Sequence, residues 1–193
     1  ALPQAIRFAH ERIDWIASQL TDNLRGKPFM HGASVPIRGV DHVIIHEPGQ
    51  LSSIRLDTEF VPALRVGGQP EHLNRRVCDW LKREARKTLS ERADYYCAQL
   101  GKKRGALRIR DTRTRWGSCT SEGDLSFCWR LILSPLKILF YLSAHECAHL
   151  IHLDHSHAFW RIVRELGVDP HGAARWLSAH GPELYVYGVA ATK

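Results

Sequence analysis

The stretch "HECAHLIHLDH" at residues 145–155 constrains the fold most, because it follows the apolar run "LILSPLKILFYL". Burying polar groups without partners costs free energy, so an ordinary core helix excludes them. A metal site requires them, since imidazole and carboxylate groups are common ligands of transition metals. The stretch therefore predicts a metal site at the end of a buried helix.

His145 and His149 are four residues apart, which on a helix is about 40° around the axis and about 6 Å along it. Both imidazoles can reach one ion. Glu146 follows the first histidine and projects to the side. This H-E-x-x-H pattern is typical of two zinc ligands and a carboxylate that deprotonates the activated water.

A third ligand is expected, because catalytic zinc takes three protein groups and keeps one position open. His152 lies about 10.5 Å along the axis from His145, too far for a straight helix to bring both to one ion. His155 is the better candidate if the chain turns back after the helix, with His152 at a turn of positive φ. Glu165 on the next helix is a weaker one, and His157 is expected outside the ligand set.

The rest of the chain predicts a mixture of helices and strands. An apolar stripe with helical spacing runs through Ile6, Ala9, Ile13, Ile16 and Leu20. Short β-rich pieces over 34–66 ("SVPIRGV", "HVIIH", "SIRL", "ALRV") predict a small meander.

Beyond the meander, apolar and polar residues alternate in "ALRIR" and "DLSFCWR", which predicts two further strands. Pro135 suits the first turn of the buried helix, with Ser134 as its N-cap. Further helices are predicted over 70–100, 157–166 and 170–179.

The composition indicates the cellular compartment of the protein. The 193 residues fit one domain, and the five cysteines form no C-x-x-C pair, which favours a reducing environment over a disulfide framework. Charges throughout the first twenty residues argue against a signal peptide, and no apolar run is long enough to span a membrane. We therefore predict a cytoplasmic protein with no membrane partner.

Several motifs together resemble one known family. "RWGSC" at 115–119, "WRLILSP" at 129–135, "HECAH" and "HSHAFW" at 155–160 resemble the YgjP-like metallopeptidases, a zincin group related to the SprT and WLM-type proteases. The similarity extends to "VPIRGV" and "WLKREAR", nearly the whole chain. The set is far more specific than H-E-x-x-H alone.

The resemblance implies an α+β, zincin-like fold, in which a small, mostly antiparallel sheet packs on helices that include the H-E-x-x-H helix. Residues 1–193 would form a single domain, with an N-terminal helix and meander over 1–69 and a catalytic core over 70–193. Members of the family usually begin with a β-rich segment before the first helix. This chain begins at the helix, with Ala, which indicates a truncated or naturally short form.

The resemblance also implies one Zn²⁺ per chain on His145, His149 and His155, Glu146 as the general base, and hydrolysis of peptide bonds. The metzincins share the spacing of the third histidine, but they need Gly where this chain has His152 and a Met turn downstream. The only methionine is Met30, so that class is excluded.

Contacts with the substrate or transition state are predicted for Arg115, Tyr141 and His157, each of which has a plain structural alternative. "DLSFCWR" is either an edge strand that pairs with an extended peptide or a covered strand. Ser118 and Cys119 in "RWGSC" are disfavoured as nucleophiles, because the zinc motif already supplies one. Trp116 and Gly117 are expected to pack close to the active helix.

Three other functions stay open. The stretch 102–115 holds seven Lys or Arg residues against one Asp, which suits nucleic acid, although a solvated surface is the favoured interpretation. A DNA-associated protease of the SprT or WLM type is therefore one alternative. A metal-dependent nucleotide phosphohydrolase and a non-catalytic zinc-binding module are the others.

Overall fold

The computed structural model describes residues 26–50 and 53–189. These residues form an α+β fold, as predicted, in which two small sheets pack with four α-helices. The strands are β1 (Ser34–Ile37), β2 (Val40–Glu47), β3 (Ile54–Asp57), β4 (Ala63–Gly67), β5 (Leu107–Arg110), β6 (Gly117–Cys119) and β7 (Leu125–Cys128). The helices are α1 (Leu73–Gln99), α2 (Leu136–Ala148), α3 (His157–Glu165) and α4 (Pro170–Leu184), with 3-10 turns at Pro70–His72 and Trp129–Leu133. The helix predicted over 6–20 lies outside the described residues.

The first sheet has the strand order β1-β2-β4-β3, so it is not the simple meander that the sequence predicted. β1 and β2 form an antiparallel hairpin, whose turn residues Arg38 and Gly39 have φ values of 54° and 79°. Two positive φ values are typical of a type I′ turn. β4 then pairs in parallel with β2 and antiparallel with β3. β4 takes the inner position because nearly all of its residues are buried, whereas β3 is only partly covered.

The second sheet has the order β5-β7-β6, with β5 parallel and β6 antiparallel to β7. The buried Leu125 and Phe127 make β7 its central strand. The hypothesis that "DLSFCWR" is an edge strand is therefore wrong, and the covered alternative holds. In the described sheet, β6 is an edge strand and lies beside α2. Trp129, expected to continue the strand, begins a 3-10 turn instead.

Helix α1 is the axis of the core. A stripe of apolar side chains along one face of α1 is buried, namely Leu73, Val77, Trp80, Leu81 and Ala85, and it continues to Cys97. The helix ends in a Schellman motif, where Gly101 at φ 62° lets the Lys102 N–H donate to the Cys97 carbonyl at 2.9 Å. Because α1 packs against α2, β5 and the 3-10 turn before α2, it fixes the position of the motif helix.

Helix α2 begins after Pro135, which takes the N-cap position with φ −53° and ψ 143°. The predicted N-cap, Ser134, is wrong, because its buried hydroxyl donates to the Leu131 carbonyl at 2.7 Å and closes the preceding 3-10 turn. α2 is buried on nearly all sides, as predicted. Even so, neither α2 nor any other helix of the described residues is long and apolar enough to cross a membrane.

Helices α3 and α4 begin at side-chain caps. The Ser156 hydroxyl accepts the Phe159 N–H at 3.4 Å, and the Asp169 carboxylate accepts the Gly172 N–H at 3.0 Å. α4 runs to Leu184, beyond the predicted end at residue 179, with Pro182 inside its last turn. Gly181, the residue before Pro182, lies close to the Trp116 ring, because a β-carbon at this position would be 3.0 Å from Cζ2 of Trp116.

Candidate metal centre

The end of α2 sets the spacing of the first two motif histidines. His145 lies in its last turn, and His149 is the C-cap residue, with φ −65° and ψ −16°. The His152 N–H donates to the Ala148 carbonyl at 3.1 Å, so the chain leaves the helix through a further hydrogen-bonded turn. Among the described non-glycine residues only Arg38 has a positive φ. The left-handed turn expected at His152 is therefore wrong, and the chain turns back without it.

His145, His149 and His155 converge, each offering one ligand nitrogen within 4.8 Å of the other two. His155 comes from the loop between α2 and α3, and its Nε2 lies 3.1 Å from Nε2 of His145. Glu165 does not join them, because its side chain is exposed and lies 3.9 Å from Arg161. The geometry thus brings together the three histidines predicted as ligands.

The hydrogen bonds of the cluster orient its nitrogens for a cation. Nδ1 of His149 lies 2.9 Å from the His152 carbonyl, so it carries the proton and leaves Nε2 free to bind a metal. Nδ1 of His145 faces the Tyr141 hydroxyl at 3.5 Å, which leaves its Nε2 opposite that of His155. Two imidazole lone pairs this close repel unless a proton or a cation lies between them. These residues therefore fit a transition metal.

Burial keeps the two helix histidines in their ligand form. Desolvation, together with the charges of His149 and His155, lowers the pKa of His145 to about 4. Desolvation also lowers the pKa of His149. The hydrogen bond to the His152 carbonyl acts in the opposite direction and raises this pKa. Metal ligands must be deprotonated, so neutral imidazoles at physiological pH favour binding.

Two aromatic rings from the first turn of α3 support the cluster. Phe159, which is fully buried, stacks on His149 with ring centroids 4.5 Å apart and lies 4.9 Å from the His145 ring. Trp160 stacks on His155 at 5.7 Å. Neither was predicted to have a function, although both belong to the "HSHAFW" motif. Their helical position after the ligand His155 is the signal that could have revealed them.

Glu146 lies beside the cluster with only 4% of its surface exposed. Burial raises the pKa of its carboxyl to about 8, and the charge of Arg115 acts in the opposite direction. A β-carbon on Gly117 would lie 2.5 Å from Oε1 of Glu146, so β6 approaches this carboxylate as closely as its backbone allows. The expected packing of Gly117 on the active helix is confirmed.

Comparison with known proteins identifies the family. The family model described as "YgjP-like, metallopeptidase domain" matches residues 1–180. The chain belongs to the YgjP-like metallopeptidase family. At the level of this family it is a metal-dependent peptidase, as the sequence motifs predicted.

Other comparisons are sparser for this YgjP-like chain. No curated protein matches it. Among solved structures it is similar to the metallopeptidase zymogen of Pyrococcus abyssi abylysin, with 23% identity and a TM-score of 0.43 over 50% of this chain and 94% of that one.

The remaining predicted residues surround the YgjP-like site at different distances. Tyr141 contacts His145, as described above, whereas Arg115 is exposed and acts on Glu146 through its charge. His157 is exposed at the start of α3 and lines a pocket together with Tyr141. Burial raises the pKa of the Cys119 thiol to about 11, which disfavours a thiolate nucleophile there.

Proposed function

We propose that this chain is a zinc peptidase that binds one zinc ion per chain through His145, His149 and His155. The observation that carries the proposal is the convergence of three imidazole nitrogens within 4.8 Å of one another beside a buried Glu146. Three protein ligands with one open position are typical of catalytic zinc, whereas structural sites are closed by four. Within the described ranges no fourth His, Cys, Asp or Glu belongs to this group.

Glu146 is the proposed general base. When bound, zinc supplies Lewis-acid activation of a water molecule and of the peptide carbonyl. The Glu146 carboxylate takes the proton of that water and passes it to the nitrogen of the leaving amine. Its pKa of about 8 belongs to the site without a cation. A cation nearby favours the ionised carboxylate and so lowers this pKa toward the range of a working base.

The three residues predicted to contact the substrate or transition state, namely Arg115, Tyr141 and His157, have different proposed roles. Tyr141 positions His145, because its hydroxyl faces the ring nitrogen that does not point at the cluster. The charge of Arg115 favours the ionised form of Glu146 and so opposes the effect of burial. His157 contacts the substrate from the pocket that it shares with Tyr141.

All four proposed site residues come from the segment over 70–193, which supports that segment as the catalytic core of a single domain. The preceding segment supports the core rather than the chemistry. The Arg38 N–H at its hairpin turn donates to the Ile132 carbonyl at 2.7 Å, just before α2. The Arg38 guanidinium also pairs with Glu84 of α1 at 2.8 Å.

The proposed substrate is a peptide or protein. The basic stretch over 102–115 is partly neutralised within the protein, because Arg104 pairs with Asp94 at 2.7 Å and Arg108 pairs with Asp124. This supports a solvated surface over a nucleic-acid site. Binding of nucleic acid and a cytoplasmic location stay predictions from the sequence.

The test is to measure metal content and peptide hydrolysis on the same preparations. The parent protein, His145→Ala and Glu146→Gln are purified without chelator, and zinc is added back. We expect about one zinc per chain in the parent and in Glu146→Gln, but little in His145→Ala. A mixed peptide library should be cleaved by the parent alone.

Four outcomes, the third read from a nucleotide turnover assay on the same preparations, would contradict the proposal at different points. No stoichiometric metal after zinc addition would remove the metal site. Full hydrolysis by Glu146→Gln would remove Glu146 as the base. Turnover of nucleotides without cleavage of any peptide would favour the phosphohydrolase alternative, and stable zinc with neither activity would favour a binding module.

A further inference from the structure

A pocket of about 290 Å³ opens beside the histidine cluster. Its lining includes Tyr141, His157, Trp160, Arg164, Pro170 and His171. Two of these residues also contact the cluster. The Tyr141 hydroxyl lies 3.5 Å from Nδ1 of His145, and the Trp160 ring lies 5.6 Å from the His145 ring. A group held in this pocket therefore lies next to the proposed reaction centre.

The charge lining the pocket is of one sign. Arg164 contributes a positive charge, His157 and His171 contribute imidazole groups, and among the described residues no Asp or Glu lines the pocket. Arg161, which precedes Arg164 on the same helix, faces Glu165 at 3.9 Å. Arg164 itself forms no ion pair with any carboxylate in the described ranges. Its guanidinium is therefore available to a ligand.

One acidic group near the pocket is already engaged. The Asp169 carboxylate, which precedes Pro170, accepts the Gly172 N–H at 3.0 Å as the cap of α4. Backbone hydrogen bonds from Gly172 and His171 lower its pKa, and the charges of Arg175 and His171 contribute. Asp169 forms no ion pair with Arg164 among the described residues, so it does not neutralise the guanidinium.

The walls and the size of the pocket restrict its occupant further. Trp160, Tyr141 and Pro170 offer apolar surface on which methylene groups can pack. The volume lies at the lower limit of the roughly 300–1,000 Å³ typical of pockets for whole small ligands, so one side chain suits it better. An occupant with a short apolar stem and a terminal negative charge matches both the walls and the basic lining.

We propose that this pocket selects a carboxylate of the peptide substrate, best matched by glutamate, with Arg164 as the residue that determines the preference. A guanidinium binds a carboxylate through two parallel hydrogen bonds, which gives both affinity and geometric selectivity. The carboxylate belongs either to a glutamate side chain or to the end of the peptide. The inference rests on the proposed peptidase function.

The test measures binding rather than turnover. Zinc-loaded Glu146→Gln protein is titrated with acetylated, amidated alanine hexapeptides that carry one glutamate at each position in turn, and with matched glutamine peptides. Parallel peptides without glutamate carry a free carboxyl end. We expect one glutamate position, or the free end, to bind about tenfold more tightly than its uncharged counterpart. Adding Arg164→Gln should abolish this preference, whereas Arg161→Gln should keep it.

The proposal is overturned if no peptide binds, if an uncharged peptide binds as tightly as its acidic counterpart, or if Arg164→Gln weakens both equally. Hydrolysis by the parent protein separates this result from the proposed function. Cleavage without a carboxylate preference in binding would remove the pocket proposal alone. A preference that Arg164→Gln abolishes, with no peptide cleaved by the parent, would remove the peptidase and leave the pocket.

Discussion

Gly117 lies directly against the carboxylate of Glu146. A β-carbon at position 117 would come within 2.5 Å of Oε1 and 2.8 Å of Cγ of Glu146. Such distances are well below the roughly 3.5–4.0 Å of a favourable contact between heavy atoms. Only glycine lets β6 approach α2 this closely, so the strand confines the carboxylate beside the histidines.

Replacing Gly117 with alanine should displace the Glu146 carboxylate. We expect kcat/KM for peptide hydrolysis to fall about 100-fold, because a shift of about 1 Å at a reacting group can cost that much. Zinc affinity should change only a few-fold, since the three atoms nearest to the added methyl group all belong to Glu146 and none to a histidine ligand. Steady-state hydrolysis and zinc competition with a chelator measure the two effects separately.

Gly49→Ala is the matched control for Gly117→Ala. A β-carbon at position 49 meets no atom of the described residues within 4 Å, so the same added methyl should leave hydrolysis and zinc binding unchanged. Full activity of Gly117→Ala would contradict the placement of Glu146 against β6.

The ligand set can be separated from the neighbouring histidines. His155→Ala should weaken zinc binding by more than about 100-fold, since loss of an outer-shell partner alone typically costs 10–100-fold. His152→Ala should have little effect, because His152 contacts His149 through its backbone carbonyl. Chelator competition on the three proteins, with His157→Ala as a further control, measures the difference. A loss in His152→Ala as large as that in His155→Ala would contradict the proposed ligands.

The sequence predicted the helix ligands because their spacing alone decides their geometry. Residues four apart share a helix face wherever the helix packs, so His145 and His149 needed no tertiary information. His155 was predicted as the third ligand for two reasons. A straight helix cannot bring His152 to the same ion as His145, and the resemblance to the YgjP-like family implies His155. The structure brings its nitrogen to the cluster by a turn with only negative φ values at its non-glycine residues.

Features that depend on long-range pairing could not be predicted in the same way. The β-rich composition of the segments that form β2 and β4 indicates strands, but the local sequence does not determine that these two strands pair in parallel. Ser134 is a good N-cap by residue type, yet its buried hydroxyl donates to the Leu131 carbonyl of the preceding 3-10 turn. The pocket that contains Arg164 forms only where α2, α3 and α4 meet.

Tyr141→Phe tests whether this residue positions a ligand or contacts the substrate. Its hydroxyl lies 3.5 Å from Nδ1 of His145, so its loss should weaken zinc binding about tenfold, the lower end of the range for outer-shell partners. At saturating zinc, kcat should be nearly restored. Tyr95→Phe on the exposed face of α1 is the control. A fall in kcat that zinc does not restore, with zinc affinity unchanged, would assign Tyr141 to the substrate instead.

The pH dependence of the metal-free protein should report on Glu146 and His145 with opposite signs. The raised pKa of Glu146, about 8 against the ordinary 4.5 of a glutamate carboxyl, means that the folded state loses stability as pH rises through this window. The lowered pKa of His145, about 4 against 6.5, means that stability is lost as pH falls from 6.5 toward 4. The lowered pKa of His149 acts in the same direction as that of His145. The contributions oppose one another below pH 6.5, and Glu146 acts alone among these groups above it.

The free energy of unfolding should therefore fall between pH 6.5 and 8, by at most about 1.4 kcal/mol per pH unit from this one carboxyl. Denaturant titrations in the presence of a chelator measure the fall. Glu146→Gln should remove most of it, because the amide does not titrate, while Glu165→Gln, which alters an exposed carboxylate outside the cluster, should keep it. An equal fall in Glu146→Gln would show that the Glu146 carboxylate is solvated in the metal-free protein. Zinc should reduce the fall in the parent, since a bound cation beside the carboxylate stabilises its ionised form.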